Sequence, residues 1–130
     1  MIETKLPKGT FYIGDPCYII KGEEGYKWYE KVLDVHYNHN NDNGIINVDN
    51  VLMFMQNTYE GDGAFEGFYV DSGLIAIIKI DDLINDSRFN WKNMIVKGAK
   101  FAKFENDINI KYEEGLFNIN NEIIINTKQG

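Results

Sequence analysis

Cysteine is almost missing from this 130-residue chain: Cys17 stands alone. A single thiol excludes an internal disulfide and fits a reducing compartment. Arginine is equally scarce, Arg88 being the one example among 13 basic residues set against 20 acidic ones, for a formal net charge of -7. A general nucleic-acid binder needs clustered Lys and Arg to displace counterions from phosphates. Direct nucleic-acid binding is therefore not expected, nor is attachment to an anionic membrane surface. No apolar run approaches the ~20 residues that cross a bilayer, and the opening residues MIETKLPKGT lack the apolar stretch of a signal peptide. The expected location is the cytoplasm. Linkers, low-complexity tracts and long internal repeats are also missing, so residues 1–130 are expected to form one domain.

What is present is apolar and aromatic: 44% hydrophobic residues and 14% aromatic ones, enough for a real core in a domain that buries roughly two-thirds of its unfolded surface. The one long amphipathic segment is 26–37, where Trp28, Tyr29, Val32, Leu33 and Val35 recur at helical spacing. Glu23 and Glu24 lie just upstream, where carboxylates favour a helix start. Asn38 to Gly44, rich in turn residues, ends it. Elsewhere the pattern is strands. Thr10–Gly14 is a short strand broken at Asp15-Pro16, since proline cannot continue a ladder. Val51–Gln56 is an apolar run. Phe65–Val70 and Leu74–Ile80 flank the tight turn Val70-Asp71-Ser72-Gly73 and read as a hairpin. Leu74–Ile80 is apolar on both faces, which predicts a central strand. Ile95–Phe104 is a longer strand with Gly98 as a candidate bulge. Ile108, Ile110 and Tyr112 alternate with polar residues, and Phe117, Ile119, Ile123 and Ile125 continue the alternation across turns, predicting a C-terminal antiparallel meander. The expected fold class is mainly β, of α+β type: an antiparallel barrel or sandwich with one amphipathic helix near residues 26–37.

Three acidic turns carry the candidate chemistry: Gly14-Asp15-Pro16-Cys17-Tyr18, Glu60-Gly61-Asp62-Gly63 and Val70-Asp71-Ser72-Gly73. Aspartate is a preferred turn residue for local hydrogen-bonding reasons alone. If the three turns share one rim, however, Asp15, Asp62 and Asp71 converge. Converging carboxylates either bind a hard divalent cation through oxygen or raise one another's pKa as an acid/base pair. The candidate ligand-binding residues are Asp15, Tyr18, Asp62, Gly63, Asp71 and Ser72, with Asp15, Asp62 and Asp71 as the metal set. No catalytic residue can be assigned. Cys17 reads first as a small buried apolar residue, because nothing in the sequence places a base beside it. His36 and His39, with Asp34 or Asp42, could hold a transition metal, although solvated histidines are commoner in such a loop. Gly61-Asp62-Gly63 could admit a phosphate to backbone amides, but lacks the ending of a P-loop.

In this order, the three turns resemble a family of uncharacterised small proteins of phages and bacteria. Its members carry a strand ending in Gly-Asp-Pro-Cys-Tyr, then Gly-Asp-Gly followed by an aromatic, then Val-Asp-Ala/Ser-Gly before an apolar strand. The matching residues here are 14–18, 61–65 and 70–80. Phe65 behind Ala64 departs from the tyrosine expected there, and the C-terminal meander lies outside the likeness. The resemblance implies a compact β-rich domain of phage or mobile-element origin and carries over no activity.

Two functions are expected from these features. The first is a non-enzymatic binding module that captures a host protein or a small ligand; the acidic balance would draw it to a basic surface. The alternative is a metal-assisted hydrolase built on the clustered aspartates. A homo-oligomer is compatible with so short a chain.

Overall fold

The computed structural model describes residues 1–39, 43–92 and 98–128. Its strands are β1 (Ile2–Leu6), β2 (Gly9–Gly14), β3 (Ile45–Val48), β4 (Val51–Asn57), β5 (Gly63–Phe65), β6 (Phe68–Val70), β7 (Leu74–Lys79), β8 (Lys100–Phe104), β9 (Ile108–Glu113), β10 (Leu116–Ile119) and β11 (Ile123–Asn126). A single α-helix among the described residues, α1, spans Gly22–Asn38, and a 3-10 turn covers Pro16–Tyr18. The strands form a middle sheet in the order β3-β4-β7-β2-β8, an outer sheet in the order β1-β9-β10-β11, and a two-stranded ribbon β5-β6. Every pairing is antiparallel.

The period of the strands places the layers. Successive side chains on a strand face opposite ways, so Tyr12, Met53, Ala76 and Ile78 meet Trp28, Tyr29 and Val32 of α1 in one core. Phe11, Ile13, Phe54, Ile75 and Ile77 meet Ile108, Ile110, Phe117, Ile119 and Ile125 of the outer sheet in a second. The ribbon adds Phe65, Phe68 and Val70 to that second core. Helix, middle sheet and outer sheet thus stack as three layers, and the sheets form a sandwich rather than a closed barrel. β7 is buried on both faces because it lies between them, as its uninterrupted apolar run predicts.

Several expectations need correction. The pair 65–70 and 74–80 is not a hairpin. β5 pairs with β6 around Glu66-Gly67, both at positive φ, the geometry that primed two-residue turns require. β7 instead leaves to lie between β4 and β2, because an apolar strand needs partners on both edges and cover on both faces. The helix begins four residues early, at Gly22. Gly25 faces the Arg88 carbonyl, which a Cβ at this position would strike. The glycine that lowers helix propensity therefore lets the helix approach the 80–92 loop. Of the predicted strand 95–104, residues 95–97 lie outside the described residues; Lys100–Phe104 form β8 and Gly98 sits in a turn at φ +71° ahead of it. Sequence reading also missed β1 and β3.

A buried carboxylate joins two acidic turns

β2 ends at Gly14, and Asp15 follows with φ -69° and ψ 125°, the extended geometry that a following proline imposes. Pro16 opens the 3-10 turn, and the Asp15 side chain caps it by accepting from the Cys17 amide at 2.8 Å. The same carboxylate then reaches 56 residues along the chain. Its Oδ1 accepts the Ser72 hydroxyl at 2.7 Å, and its Oδ2 accepts the Asp71 and Ser72 amides, each at 2.7 Å. The Asp15 carbonyl accepts the Tyr12 hydroxyl at 2.7 Å. Asp15 is 0% exposed. Four donors on two oxygens use the whole acceptor capacity of a carboxylate, and burial makes each bond costly to lose.

The other two acidic turns close around this lock. The Asp71 carboxylate is exposed and accepts the Tyr18 hydroxyl at 2.5 Å. Tyr29 is buried beside Ser72, and burial, more than its neighbours, lifts its phenol to about 12. Thr58 ties the third turn in place: its amide donates to the Gly73 carbonyl at 2.9 Å and its hydroxyl to the Gly61 carbonyl at 2.5 Å. The Asp62 carboxylate lies 3.9 Å from where a side chain on Gly73 would begin. Gly63 opens β5 opposite Val70.

Asp15 is thus bonded directly to the Asp71-Ser72 turn, and Asp62 lies beside Gly73 at the end of that turn, in unequal roles. Asp15 faces inward and is spent on hydrogen bonds, while Asp62 and Asp71 face solvent. Among the described residues, no group of three or more His, Cys, Asp or Glu is placed to hold a metal ion. Of the three aspartates expected as a cation set, Asp15 has its oxygens occupied by four donors, which leaves Asp62 and Asp71 as the outward-facing carboxylates. Cys17 is half-buried between them. Burial first, then Asp15, and more weakly Asp71 and Asp62, push its thiol well above the ordinary range. A thiol held protonated is a poor nucleophile. Burial and the Asp71 hydrogen bond likewise push the Tyr18 phenol up. His36 contacts the Asn57 side chain at 2.8 Å, and His39 lies 3.4 Å from Asp34, both away from the thiol's polar neighbours. Sequence reasoning missed Tyr29 and Thr58. Tyr29 was read only as part of the apolar stripe, and Thr58 gave no signal outside a turn motif.

Fold and corner together define a class: a three-layer, mainly β protein whose acidic turns are locked by a buried carboxylate and present two further carboxylates outward. Compared with family models, curated proteins and solved structures, the chain matches none.

Proposed function

We propose that the chain works by binding, as a non-enzymatic module whose Asp62 and Asp71 carboxylates engage a cationic group on a partner protein. The observation that carries this reading is the way Asp71 is held. Its amide is fixed by the buried Asp15 and its carboxylate by Tyr18. Among the described residues, no Lys, Arg or His lies within ion-pair distance of Asp62 or Asp71. A fixed, unneutralised Asp71 carboxylate loses little side-chain freedom on binding a guanidinium or ammonium group, and the exposed Asp62 carboxylate adds negative charge beside the same turn. The net charge of -7 steers such a partner toward the protein over a longer range. A basic surface on a host protein has this chemistry, consistent with a phage or mobile-element setting.

A short arginine-rich peptide serves as the probe. Titration should give saturable binding that weakens about five- to tenfold in the double variant Asp62→Asn, Asp71→Asn, the loss of two solvent-facing ion pairs. Glu105→Gln, which removes charge from an exposed position paired with Lys103, should leave affinity nearly unchanged. Equal weakening by both variants would reduce the effect to net charge and overturn the reading. Calorimetric uptake of magnesium, manganese or calcium that vanishes in Asp62→Asn would favour the metal-assisted hydrolase instead.

A further inference from the structure

A second feature lies away from the acidic turns, where the 80–92 loop, the start of α1 and β8 meet. Lys21, Ile84, Asn85, Phe89, Asn90, Trp91, Lys92 and Phe101 surround a cavity of about 560 Å³. That volume is within the range of small-molecule sites, roughly 300–1,000 Å³. The cavity has an aromatic floor and wall. Phe89 and Trp91 stack with centroids 4.9 Å apart at 26°. Phe101 stands against Trp91 at 6.3 Å and 65°. Trp91 is fixed by its indole N–H, which donates to the Leu83 carbonyl at 2.9 Å. The floor is largely buried, Phe89 being 5% and Trp91 9% exposed, whereas Phe101 is 39% and Ile84 56% exposed. Phe101 and Ile84 thus extend the aromatic floor as apolar surface at the mouth of the recess.

Charge makes the recess specific. Lys21 and Lys92 both border it, and among the described residues neither ammonium has a carboxylate within ion-pair distance. Two unpaired cations at one recess run against the sign of a molecule carrying -7. The nearby arginine is not available, because Arg88 is engaged with both carboxylate oxygens of Asp86 at 3.0 and 2.8 Å. The recess therefore offers two compact ammonium charges and no guanidinium fork, and lysine binds phosphate as a point charge. At the wall the Asn85 amide offers a donor and an acceptor, and Asn90 offers its NH₂ donors while its Oδ1 accepts the Lys92 amide at 3.2 Å.

We infer that this recess binds a small aromatic phosphate of mononucleotide size: the ring against Trp91 and Phe101, the phosphate between Lys21 and Lys92. Isolated nucleotides, unlike a polymer, bring few charges against the protein's negative field. Aromatic stacking of a base is sequence-tolerant, so identity would be read by the two asparagine amides at the ring edge.

Intrinsic tryptophan fluorescence of the whole chain reads the site, with adenosine monophosphate as the probe. Expected is saturable quenching that disappears in Trp91→Phe and persists in Trp28→Phe. Adenosine should bind at least about fivefold more weakly, and Lys21→Gln and Lys92→Gln should each weaken the monophosphate about three- to tenfold without changing adenosine, as loss of one partly solvated charge contact predicts. Both lysines are solvent-facing, so these variants keep the fold; unchanged melting temperatures check it. Absence of saturable quenching by the monophosphate overturns the inference. Equal affinity for adenosine and its monophosphate, with indifferent lysine variants, also overturns it by leaving only an apolar recess. None of these outcomes depends on Asp62 or Asp71, so this site and the cationic-partner reading stand or fall separately.

Discussion

At the scale of single residues, the three aspartates illustrate how one residue type divides its labour by depth. Asp15 has four donors and is fully buried, so Asp15→Asn must turn an amide NH₂ toward N–H or O–H donors on one side. Leaving buried donors unsatisfied costs about 1–3 kcal/mol. We expect Asp15→Asn to lower unfolding stability by about that amount in urea titration. Asp71→Asn, at an exposed carboxylate, should stay within about 0.5 kcal/mol of the parent. Comparable losses at both positions would mean that the turns are held in some other way. The sequence made these residues visible as turn formers but not as partners. Asp15 and Ser72 lie 57 positions apart, and nothing local marks a carboxylate that will cap its own turn and a distant one together. Depth is likewise invisible in sequence, and depth is what keeps the Cys17 thiol protonated.

At the scale of elements, legibility follows how local the cause is. β9, β10 and β11 could be read because each carries its own alternation between short turns. β7 could be read as central because both its faces are apolar. Its partners could not, because adjacency in sequence favoured a hairpin with 65–70 while the Glu66-Gly67 turn had already folded that segment on itself. The early start of α1 was hidden behind Gly22 and Gly25, poor helix formers whose placement makes sense only beside the 80–92 loop. There the Lys21 amide donates to the Arg88 carbonyl at 2.8 Å, and Gly25 passes close to that carbonyl. Gly25→Ala tests the contact. Helix propensity alone would favour the alanine by about 1 kcal/mol, but the added methyl group meets backbone that cannot move freely. Overpacking of this kind costs about 1–3 kcal/mol. The expected result is a net loss of stability in thermal unfolding, and a net gain would show that the loop yields.

At the scale of the whole molecule, the three layers bury several ionisable hydroxyls together. Burial is the largest cause of the raised phenols of Tyr12, Tyr29 and Tyr112. For Tyr29 the folded value is about 12 against an ordinary 10.0. A raised pKa means that the native state holds its proton more tightly than the unfolded chain. The stabilisation is complete below pH 10 and is lost as pH rises from about 10 through 12. Alkaline titration followed by phenolate absorbance and circular dichroism should show these tyrosines ionising together with loss of structure. Tyr29→Phe should make the decline less steep between those limits, and tyrosines that ionise while the fold stays intact would contradict the burial argument. The spacing of short apolar runs and turns predicted the mainly β class and the sandwich alternative, but which strands share a sheet depends on long-range pairing. β1 joins β9 with Ile2 opposite Tyr112, and the Lys8 amide donates to Asp107 where the chain passes between sheets. That pairing sets an order of events during synthesis. The opening strand leaves the ribosome with its neighbour still untranslated, and one greasy side of the middle sheet stays uncovered until the final third of the chain emerges. A nascent chain of this protein must therefore wait, sticky and incomplete, for its own tail.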